Sequence, residues 1–428
     1  PVIVIGAGPA GLMAATESAL NGCHTVLLEK MPRPGRKLLI TGNGRCNVTN
    51  SCDPANLQDY FFSGAKFLRS AFSRFNNRDL AAMLRNGGLP LIEEPAGKLF
   101  PASSKAADVL DFLLRRAESA GVRILPSTSV TEIIVEYSQA ALNAEAKTAE
   151  AKPSGVQIPR VTGVRTSHGI MPAGAVVLAA GGRSWPHTGS NGDGTRLAAT
   201  AGHTVAAERP ALVPLILADQ EFRQLQGLAL QSVAIQLKVG GSIIGRNRGD
   251  MLFTHFGVSG PAILRLSRLL SEPWPDKKVQ LLIDFLPDLD RATLDRQLLE
   301  MLAAEPRRQL HNSLTRYLPA AFTPHLLRLA DLPPDLMNGR ITGAQRLQLL
   351  EKLKSLPLQI TGSRGWREAI VTAGGVNLTE INPRTMASRL ISGLFLAGEV
   401  LDIDGYTGGY NLQAAWSSGF VAGQSAGE

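Results

Sequence analysis

The segment from Val2 to Glu29 constrains the fold more than any other part of the chain. Four apolar residues, Val2 to Ile5, predict a short buried strand, and Gly6, Gly8 and Gly11 follow it in the spacing G-x-G-x-x-G. A helical stretch and a second apolar strand come next, and Glu29 ends that strand 18 positions after Gly11. In such a unit the glycines permit a tight turn, close approach of backbone N–H groups to a pyrophosphate, and close helix–strand packing. The helix N-terminus favours phosphate, and the acidic side chain accepts hydrogen bonds from a ribose. The segment therefore predicts a dinucleotide-binding turn.

Two later glycine-rich blocks repeat the pattern of a buried strand that ends in small residues. The first is a strand from Ala175 to Ala179, followed by Gly181-Gly182, a loop to Gly194 and a helix over 195–201. The second is a strand from Leu394 to Ala397 that ends in Gly398-Glu399, with a helix over 411–422 after Gly408-Gly409. The first N–H groups of that last helix are free to donate to an electron-rich ring.

Because parts of one nucleotide-binding fold occur at both ends of the chain, we predict an α/β protein with a discontinuous Rossmann-like domain. That domain takes residues 1–190 and 370–428. Strand patterns with a Gly240-Gly241 hairpin turn predict an inserted, β-barrel-like subdomain over 191–287 and 356–369. Apolar residues at helical spacing predict a nested helical subdomain over 288–355. The Ala-rich segment 139–159 is predicted to be an exposed hairpin extension.

Composition limits the class of protein. The 428 residues contain no run of 18 apolar residues, so no transmembrane helix is expected. The three cysteines, Cys23, Cys46 and Cys52, form no C-x-x-C motif, which favours a reducing cytoplasm. No cluster of His, Cys and Asp has the spacing of a metal site. The net charge of +8 favours a polyanionic partner, and a scattered solubilising surface is the alternative.

The arrangement favours FAD over NAD as the bound dinucleotide. The C-terminal return supplies a third contact with the cofactor, as in the fold of flavin-dependent disulfide reductases. No second G-x-G-x-x-G follows, so a separate nicotinamide domain is not predicted, and NAD(P)H is expected as a transient electron donor.

Five blocks in order carry a specific resemblance to a known family. They are GRKLLITGNGRCNVTN (35–50), GGRSWPHTGSNGDG (181–194), FTHFGVSGPAILRLS (253–267), VTAGGV (371–376) and AGEVLDIDGYTGGYNLQAAWSSG (397–419). Together they resemble the bacterial FAD-dependent oxidoreductases of the BaiN/RdsA type over nearly the whole chain. The resemblance implies a Rossmann-like FAD domain with inserted barrel-like and helical domains. It also implies transfer of a hydride from flavin N5 to an activated alkene, either in a steroid-like bile acid intermediate or in a uridine of 23S ribosomal RNA.

The fold and the resemblance together assign a set of residues to FAD. Arg36 and Lys37 are placed near the pyrophosphate, with a solvated basic loop as the alternative, and Val130 is placed against adenine. The N–H groups of Asn411 and Leu412 are assigned to the flavin N1 and O2 atoms. The complete set is Gly6, Gly8, Ala10, Gly11, Glu29, Lys30, Arg36, Lys37, Thr41, Gly42, Asn43, Gly44, Val130, Ala180, Gly181, Gly182, Gly398, Glu399, Gly409, Asn411 and Leu412.

The proton donor is open between three side chains. Thr41, Gly42, Asn43 and Gly44 begin a compact loop that is predicted to contact the flavin ring. Cys46 lies in this flavin loop, and its alternative role is a small buried apolar residue. His255 lies in THFGVSGP and has a structural alternative. Tyr406 flanks Gly408-Gly409, where packing is the alternative.

RNA is one of two predicted substrate classes. Residues 66–85 contain five cationic residues against one acid, with Phe67, Phe72 and Phe75 between them. This pattern suits single-stranded RNA, and an amphipathic helix whose phenylalanines face the core is the alternative. The resemblance, together with the basic composition of the chain, implies an enzyme that reduces uridine to dihydrouridine in ribosomal RNA. A reductase of a small hydrophobic alkene and a non-catalytic RNA-binding flavoprotein remain as alternatives.

Overall fold

The structure is a computed structural model that describes residues 1–137, 158–270, 274 and 276–428. The chain forms two compact units, one of residues 1–210 and 370–428 and the other of residues 211–369. The predicted hairpin extension 139–159 lies outside the described residues except at its last two positions. None of the described helices is both long enough and apolar enough to span a membrane.

Strands occur along the whole described chain and are numbered in chain order. They are β1 Val2–Ile5, β2 Thr25–Leu28, β3 Thr49–Asn50, β4 Phe61–Ser63, β5 Leu91–Glu94, β6 Lys98–Pro101, β7 Arg123–Leu125, β8 Val130–Glu136, β9 Arg160–Thr166, β10 Gly169–Pro172, β11 Ala175–Leu178, β12 Val205–Ala211, β13 Leu215–Leu217, β14 Ala229–Val239, β15 Ser242–Phe253, β16 Gly257–Ser259, β17 Val279–Asp284, β18 Leu356–Ser363, β19 Val371–Val376, β20 Leu394–Leu396 and β21 Asp404–Gly405.

The α-helices are numbered in the same way. They are α1 Pro9–Leu20, α2 Arg36–Ile40, α3 Ala65–Arg74, α4 Asn77–Asn86, α5 Ala106–Ser119, α6 Asp193–Thr200, α7 Pro261–Ser267, α8 Arg291–Ala304, α9 Leu310–Ser313, α10 Thr323–Leu329, α11 Gly343–Lys354 and α12 Tyr410–Gly427.

The first unit is built on a five-stranded parallel sheet in the order β20-β11-β1-β2-β7. Every residue of β1, β2 and β11 is buried, as expected for parallel strands that are covered on both faces. Helix α1 leaves β1 with Pro9 at its first position and packs against α5 and α12. The three predicted segments of the dinucleotide fold therefore meet in one sheet, which confirms the predicted Rossmann-like class.

Small antiparallel elements surround this sheet in the first unit. They are the sheets β10-β9-β8 and β3-β6-β5 and the pairs β4-β21 and β12-β19. The unit continues through Pro210, beyond the position 190 at which the sequence predicts a boundary. The reason is that α6 packs against β8 and β19 while β12 pairs with β19.

The second unit is a closed barrel of six strands in the order β13-β16-β15-β14-β17-β18. Strands β14 and β15 pair with Val239 opposite Ser242, so Gly240 and Gly241 form the two-residue turn that the sequence predicts. Both glycines have positive φ, 58° and 89°, as this type of hairpin turn requires.

Helices α8 to α11 lie between β17 and β18 along the chain and share one hydrophobic core with the barrel. Phe322 joins the two parts, because its ring lies 5.9 Å from that of Phe253 and 5.1 Å from that of Phe285.

Candidate functional site

The turn after β1 has the geometry of a pyrophosphate-binding turn. Gly6 has a φ of +99°, and a Cβ at Gly11 would stand 1.8 Å from the Gly6 carbonyl oxygen. Gly8, the residue before α1, has a φ of −84°. A Cβ at Gly8 would meet no protein atom within 4 Å. Gly6 and Gly11 are therefore required by the chain itself, whereas the space in front of Gly8 is open at the N-terminus of a helix.

The Glu29 carboxylate lies against this turn. Its Oε2 accepts a hydrogen bond from the backbone N–H of Ala7 at 3.0 Å, and its Oε1 accepts one from Met31 at 2.8 Å. The two bonds hold the acid at the carboxyl end of β2, where a ribose hydroxyl is predicted to donate to it.

Lys30 connects the end of β2 to the loop between β11 and α6. Its Nζ donates to Asn191 Oδ1 and Asp193 Oδ2, both at 2.6 Å. Burial opposes ionisation of Asp193, but hydrogen bonds from Lys30 and Arg196 hold the pKa of that carboxyl below its ordinary value. The structure thus joins two segments that the sequence assigned separately to the cofactor.

Lys37 and Glu399, also assigned separately, form an ion pair with Nζ and Oε2 2.6 Å apart. Ser184 completes the group, since its Oγ accepts from Lys37 at 2.6 Å and donates to Glu399 Oε1 at 3.1 Å. The Thr372 N–H donates to the same Glu399 oxygen at 2.7 Å, and Thr372 Oγ1 accepts from the Arg183 N–H, also at 2.7 Å. Sequence reasoning missed Ser184 and Thr372, although both lie inside the quoted blocks 181–194 and 371–376.

Glu208 of β12 is a further carboxyl near this group that the sequence did not single out. Burial raises its pKa above the ordinary value, although a hydrogen bond with Thr195 and the charge of Arg183 act in the opposite direction.

The ends of β1, β11 and β20 converge at the same edge of the parallel sheet. A Cβ at Gly6 would stand 2.8 Å from Ala180 Cα, and one at Gly398 would stand 2.8 Å from Ala10 Cβ. A Cβ at Gly182 would stand 2.4 Å from Thr372 Oγ1. The glycines of the three blocks therefore allow three chain segments to meet at the carboxyl ends of parallel strands, where α/β sheets bind ligands.

The predicted flavin loop is a single turn, Thr41–Gly44, in which Gly42 and Asn43 are left-handed with φ of 56° and 57°. Gly42, Asn43 and Gly44 are exposed. Cys46 behind them is fully buried, with 0% exposure, and this burial raises the pKa of its thiol to about 12 despite a hydrogen bond with Thr41. That environment suits a small buried apolar residue, the alternative reading of Cys46.

Helix α12 begins after Gly409. A Cβ added at Gly409 would stand 2.5 Å from the Thr49 carbonyl group. The first intrahelical bond joins the Gln413 N–H to the Gly409 oxygen at 3.0 Å, so the N–H groups of Asn411 and Leu412 precede the hydrogen-bond ladder. The Asn411 side chain is engaged with the backbone of Gly405 and Tyr406.

The remaining predicted residues lie in different surroundings. Arg36 is half-buried at the start of α2, and Val130 is the buried first residue of β8. Tyr406 is half-buried in an aromatic group of the first unit. His255 lies in the second unit, exposed in the turn between β15 and β16. Within the described residues, no group of His, Cys, Asp and Glu is arranged to hold a metal ion.

The residues present fit FAD. The open space before Gly8 at a helix N-terminus suits a pyrophosphate, the Glu29 carboxylate suits a ribose, and the uncommitted N–H groups at the start of α12 suit an electron-rich ring.

Comparison with known proteins agrees with the predicted family. The family model described as HI0933-like protein Rossmann domain matches residues 1–425. The chain is 31% identical to a 3-dehydro-bile acid delta(4,6)-reductase of Clostridium scindens, over 99% of this chain and 98% of the relative. It is also 31% identical to a ribosomal RNA dihydrouridine synthase of Escherichia coli K12, over 99% of this chain and 96% of the relative.

A solved structure shares the fold at much lower identity. The 3-ketosteroid-delta4-(5alpha)-dehydrogenase of Rhodococcus jostii RHA1 has a TM-score of 0.53 and 16% identity, and the match covers 100% of this chain and 96% of that one. The Rossmann turn, the barrel insertion and these full-length matches agree with the predicted BaiN/RdsA type, and the chain belongs to the HI0933-like Rossmann family.

Proposed function

We propose that the chain is an FAD-dependent reductase of a carbon–carbon double bond that converts uridine to dihydrouridine in ribosomal RNA, with electrons from NAD(P)H. The observation that carries the proposal is the full-length likeness to a ribosomal RNA dihydrouridine synthase. The second relative, a 3-dehydro-bile acid delta(4,6)-reductase, supports the same type of reaction, the reduction of a carbon–carbon double bond.

Residues of the first unit hold the cofactor in this proposal. The turn from Gly6 to Gly8 and the N-terminus of α1 bind the pyrophosphate, and Glu29 binds a ribose. The Lys37–Glu399–Ser184 group positions the loop after β11 against the end of β20. FAD, when bound and reduced, supplies the hydride that saturates the double bond.

The start of α12 stabilises negative charge on the cofactor ring. The N–H groups of Asn411 and Leu412 and the positive end of the helix dipole act in the same direction. By analogy with oxyanion-hole donors, each such donor contributes about 2.7–4 kcal/mol.

Saturation of uracil needs one proton as well as one hydride, so a residue must hold a proton beside the reacting carbon. A general acid must come within hydrogen-bond reach of its substrate. Tyr406 is half-buried and meets this condition better than Cys46, whose side chain is fully buried. We therefore propose Tyr406 before Cys46 as the donor, with His255 as the candidate from the second unit.

A second candidate function is reduction of a small steroid-like alkene. The specific observation in its favour is that the bile acid reductase is as similar to this chain, at 31% identity, as the dihydrouridine synthase.

One anaerobic experiment separates these functions. The reduced holoprotein is mixed with 23S ribosomal RNA that lacks dihydrouridine, or with a 3-dehydro-bile acid that carries the double bond. Flavin reoxidation is followed together with the mass of the products. Reoxidation with an equal amount of dihydrouridine supports the proposal, and a Gly8→Val protein without flavin serves as the blank.

Other outcomes reject the proposal. Reoxidation by the bile acid but not by RNA would establish the small-molecule reductase. If NAD(P)H reduces the flavin and the protein binds RNA, but the RNA does not reoxidise the flavin, the non-catalytic alternative is favoured.

A further inference from the structure

Four aromatic rings form a compact group at the start of α12 in the first unit. The rings of Tyr60 and Tyr410 are stacked, with centroids 4.1 Å apart and planes inclined by 8°. Tyr406 meets Tyr60 edge-on at 6.1 Å and packs against Phe62 at 4.5 Å. Tyr410 is buried, whereas Tyr60, Phe62 and Tyr406 are each half-exposed. We call these four residues the aromatic group.

The backbone fixes the aromatic group beside the predicted flavin contacts. Strand β4, which carries Phe62, pairs with β21, and the Tyr406 N–H donates to the Tyr60 carbonyl oxygen at 2.8 Å. Tyr406 and Tyr410 flank Gly408 and Gly409, the glycines before α12. Tyr406 therefore belongs to the same short segment as the N–H groups assigned to the cofactor ring, and backbone pairing joins Tyr60 and Phe62 to that segment.

A run of positive charge starts next to the aromatic group. Residues 61–78 contain four cationic side chains, Lys66, Arg69, Arg74 and Arg78, and no acid. All four are exposed, whereas Phe72 and Phe75 of the same stretch are buried. Phe72 and Phe75 thus face the core and cannot stack on a ligand, and the four cations lie on the outer face.

The cations differ in how far they are already engaged. Arg74 donates to the Arg384 carbonyl oxygen and to Gln424, and Arg78 lies 3.9 Å from Asp53. Arg69 donates to Gln58, two residues before Tyr60, which places its guanidinium next to the segment that carries Tyr60. Lys66 is on the same helix face, three residues earlier. Asp53, Asp59 and Asp79 are exposed acids in the flanking sequence.

We propose that Phe62 and Tyr406 stack on bases of a single-stranded RNA segment while Lys66 and Arg69 bind its phosphates. The inference rests on the proposed function and names the surface that presents the RNA to the flavin. Aromatic faces with adjacent cations are the general means of binding single-stranded RNA, because every base has a π-face and every linkage a negative charge. A small apolar alkene has no use for the two cations.

The test is equilibrium binding of the holoprotein to a fluorescein-labelled, single-stranded fragment of 23S ribosomal RNA at several salt concentrations. Phe62→Ala is expected to weaken binding by about 5- to 150-fold, the range for loss of one base–aromatic stack. Phe62→Tyr, which keeps the ring, is expected to bind like the wild type. The Lys66→Gln/Arg69→Gln protein is expected to lower the salt slope of binding by about 1.4, since each phosphate contact on a single strand contributes about 0.7.

The matched control is Arg115→Gln/Arg123→Gln, which removes two exposed cations elsewhere in the first unit. Flavin content and thermal unfolding are measured for every variant, so that a folding defect is recognised. If Phe62→Ala and Lys66→Gln/Arg69→Gln bind the RNA as tightly as the control variant does, this inference is overturned. The proposed function still stands in that case, provided that the wild-type protein forms dihydrouridine. Failure of the wild type to form dihydrouridine overturns both.

Discussion

At the scale of single residues, the turn after β1 separates two roles of glycine. Gly11 is needed by the protein, because any Cβ there would collide with the Gly6 carbonyl oxygen at 1.8 Å. Gly8 is not needed in this sense, because a Cβ there meets no atom and its φ of −84° suits any residue. Gly8 is thus the position at which binding of the cofactor can be tested without disturbing the fold.

The first prediction concerns Gly8→Val. We expect a change in the free energy of unfolding of the apoprotein within about 0.5 kcal/mol, as for substitutions without steric conflict. We expect loss of flavin, because the side chain would occupy the space assigned to the pyrophosphate. Flavin content after purification and denaturant unfolding of the apoprotein measure the two effects. Gly343→Val, also in open space but in the second unit, is the control that should keep flavin. A Gly8→Val protein with full flavin content contradicts the assignment.

His203 shows a second kind of residue, polar, buried and distant from the predicted cofactor contacts in sequence. Its Nδ1 lies 2.8 Å from Glu380 Oε2 and its Nε2 lies 2.9 Å from Ser388 Oγ. The Ser388 oxygen already accepts hydrogen bonds from the backbone N–H groups of Leu390 and Ile391, each at 3.0 Å. The Ser388 hydroxyl therefore donates to the histidine. Ser388 therefore stabilises a turn and does not act as a nucleophile, although Ser388, His203 and Glu380 are linked by hydrogen bonds as in a catalytic triad.

The second prediction is a pH-dependent loss of stability in Glu380→Gln. Burial opposes ionisation of Glu380, but hydrogen bonds from Thr204 and His203 hold its pKa below the ordinary value of 4.5. A lowered folded pKa stabilises the protein above the unfolded value, and this stability is lost as the pH falls through the folded pKa. We expect Glu380→Gln to lower the free energy of unfolding by about 1 kcal/mol at pH 7, and by progressively less below pH 4.5. Urea unfolding across this range measures it. Glu132→Gln, from an ion pair that is 51% exposed on both sides, should change little at any pH. A loss that does not vary with pH would contradict the argument.

At the scale of elements, the close crossing of α1 and α12 brings the two ends of the chain together. A Cβ at Gly419 would stand 2.4 Å from the Ala10 carbonyl oxygen, and one at Gly423 would stand 2.3 Å from that of Ala14. The obstacle is backbone in both cases, so it cannot move aside as a flexible side chain can. The crossing fixes the position of α12, and with it the N–H groups of Asn411 and Leu412.

The third prediction is that Gly423→Val destabilises the protein by about 3 kcal/mol or more, at the upper end of the usual cost of overpacking. Valine has no lower helix propensity than glycine, so the loss reports the crossing and not the helix itself. Guanidinium unfolding measures it, and Ala426→Val in the same helix is the matched control. Equal stabilities of the two variants would mean that the helices do not approach as closely as the structure has them.

At the scale of the whole molecule, the chain has two units with separate hydrophobic cores. It leaves the first unit through β12 and returns through β19, and these strands pair, with the Asn377 N–H donating to the Thr204 oxygen at 2.9 Å. The residues assigned to FAD all belong to the first unit. Binding of FAD should therefore increase the stability of the first unit.

The fourth prediction follows for hydrogen exchange of the full chain with and without FAD. At free FAD about 1,000 times its Kd, binding adds about 4 kcal/mol to the stability of the state that binds it. We expect slower exchange in β1, α1 and α12 and unchanged exchange in the barrel strands β14 to β17. Mass spectrometry of peptides after timed exchange gives both values in one sample. Equal slowing of exchange in the barrel would contradict separate stabilisation of the units.

The local parts of the fold were predictable because short-range spacing encodes them. Apolar runs predicted β1, β2, β11 and β20 of the parallel sheet and the longer strands of the barrel, but not β7 or β16. Glycine spacing predicted the turn at Gly6 and the hairpin at Gly240-Gly241. Five blocks in order were enough to predict the family. Phe72 and Phe75 were the opposite case, because a basic, aromatic stretch has the same composition whether its rings face RNA or the core.

The sequence by itself therefore determined the class of fold and the family, because both are encoded in short blocks whose spacing and order can be read along the chain. Only the tertiary structure paired Lys37 with Glu399, 362 residues apart, brought Ser184 and Thr372 into the same group, and buried Cys46. It also placed Phe62 beside Tyr406. The physical reason is that the partners of a side chain, and its burial, depend on which distant segments pack against it, and local periodicity contains no information on that packing.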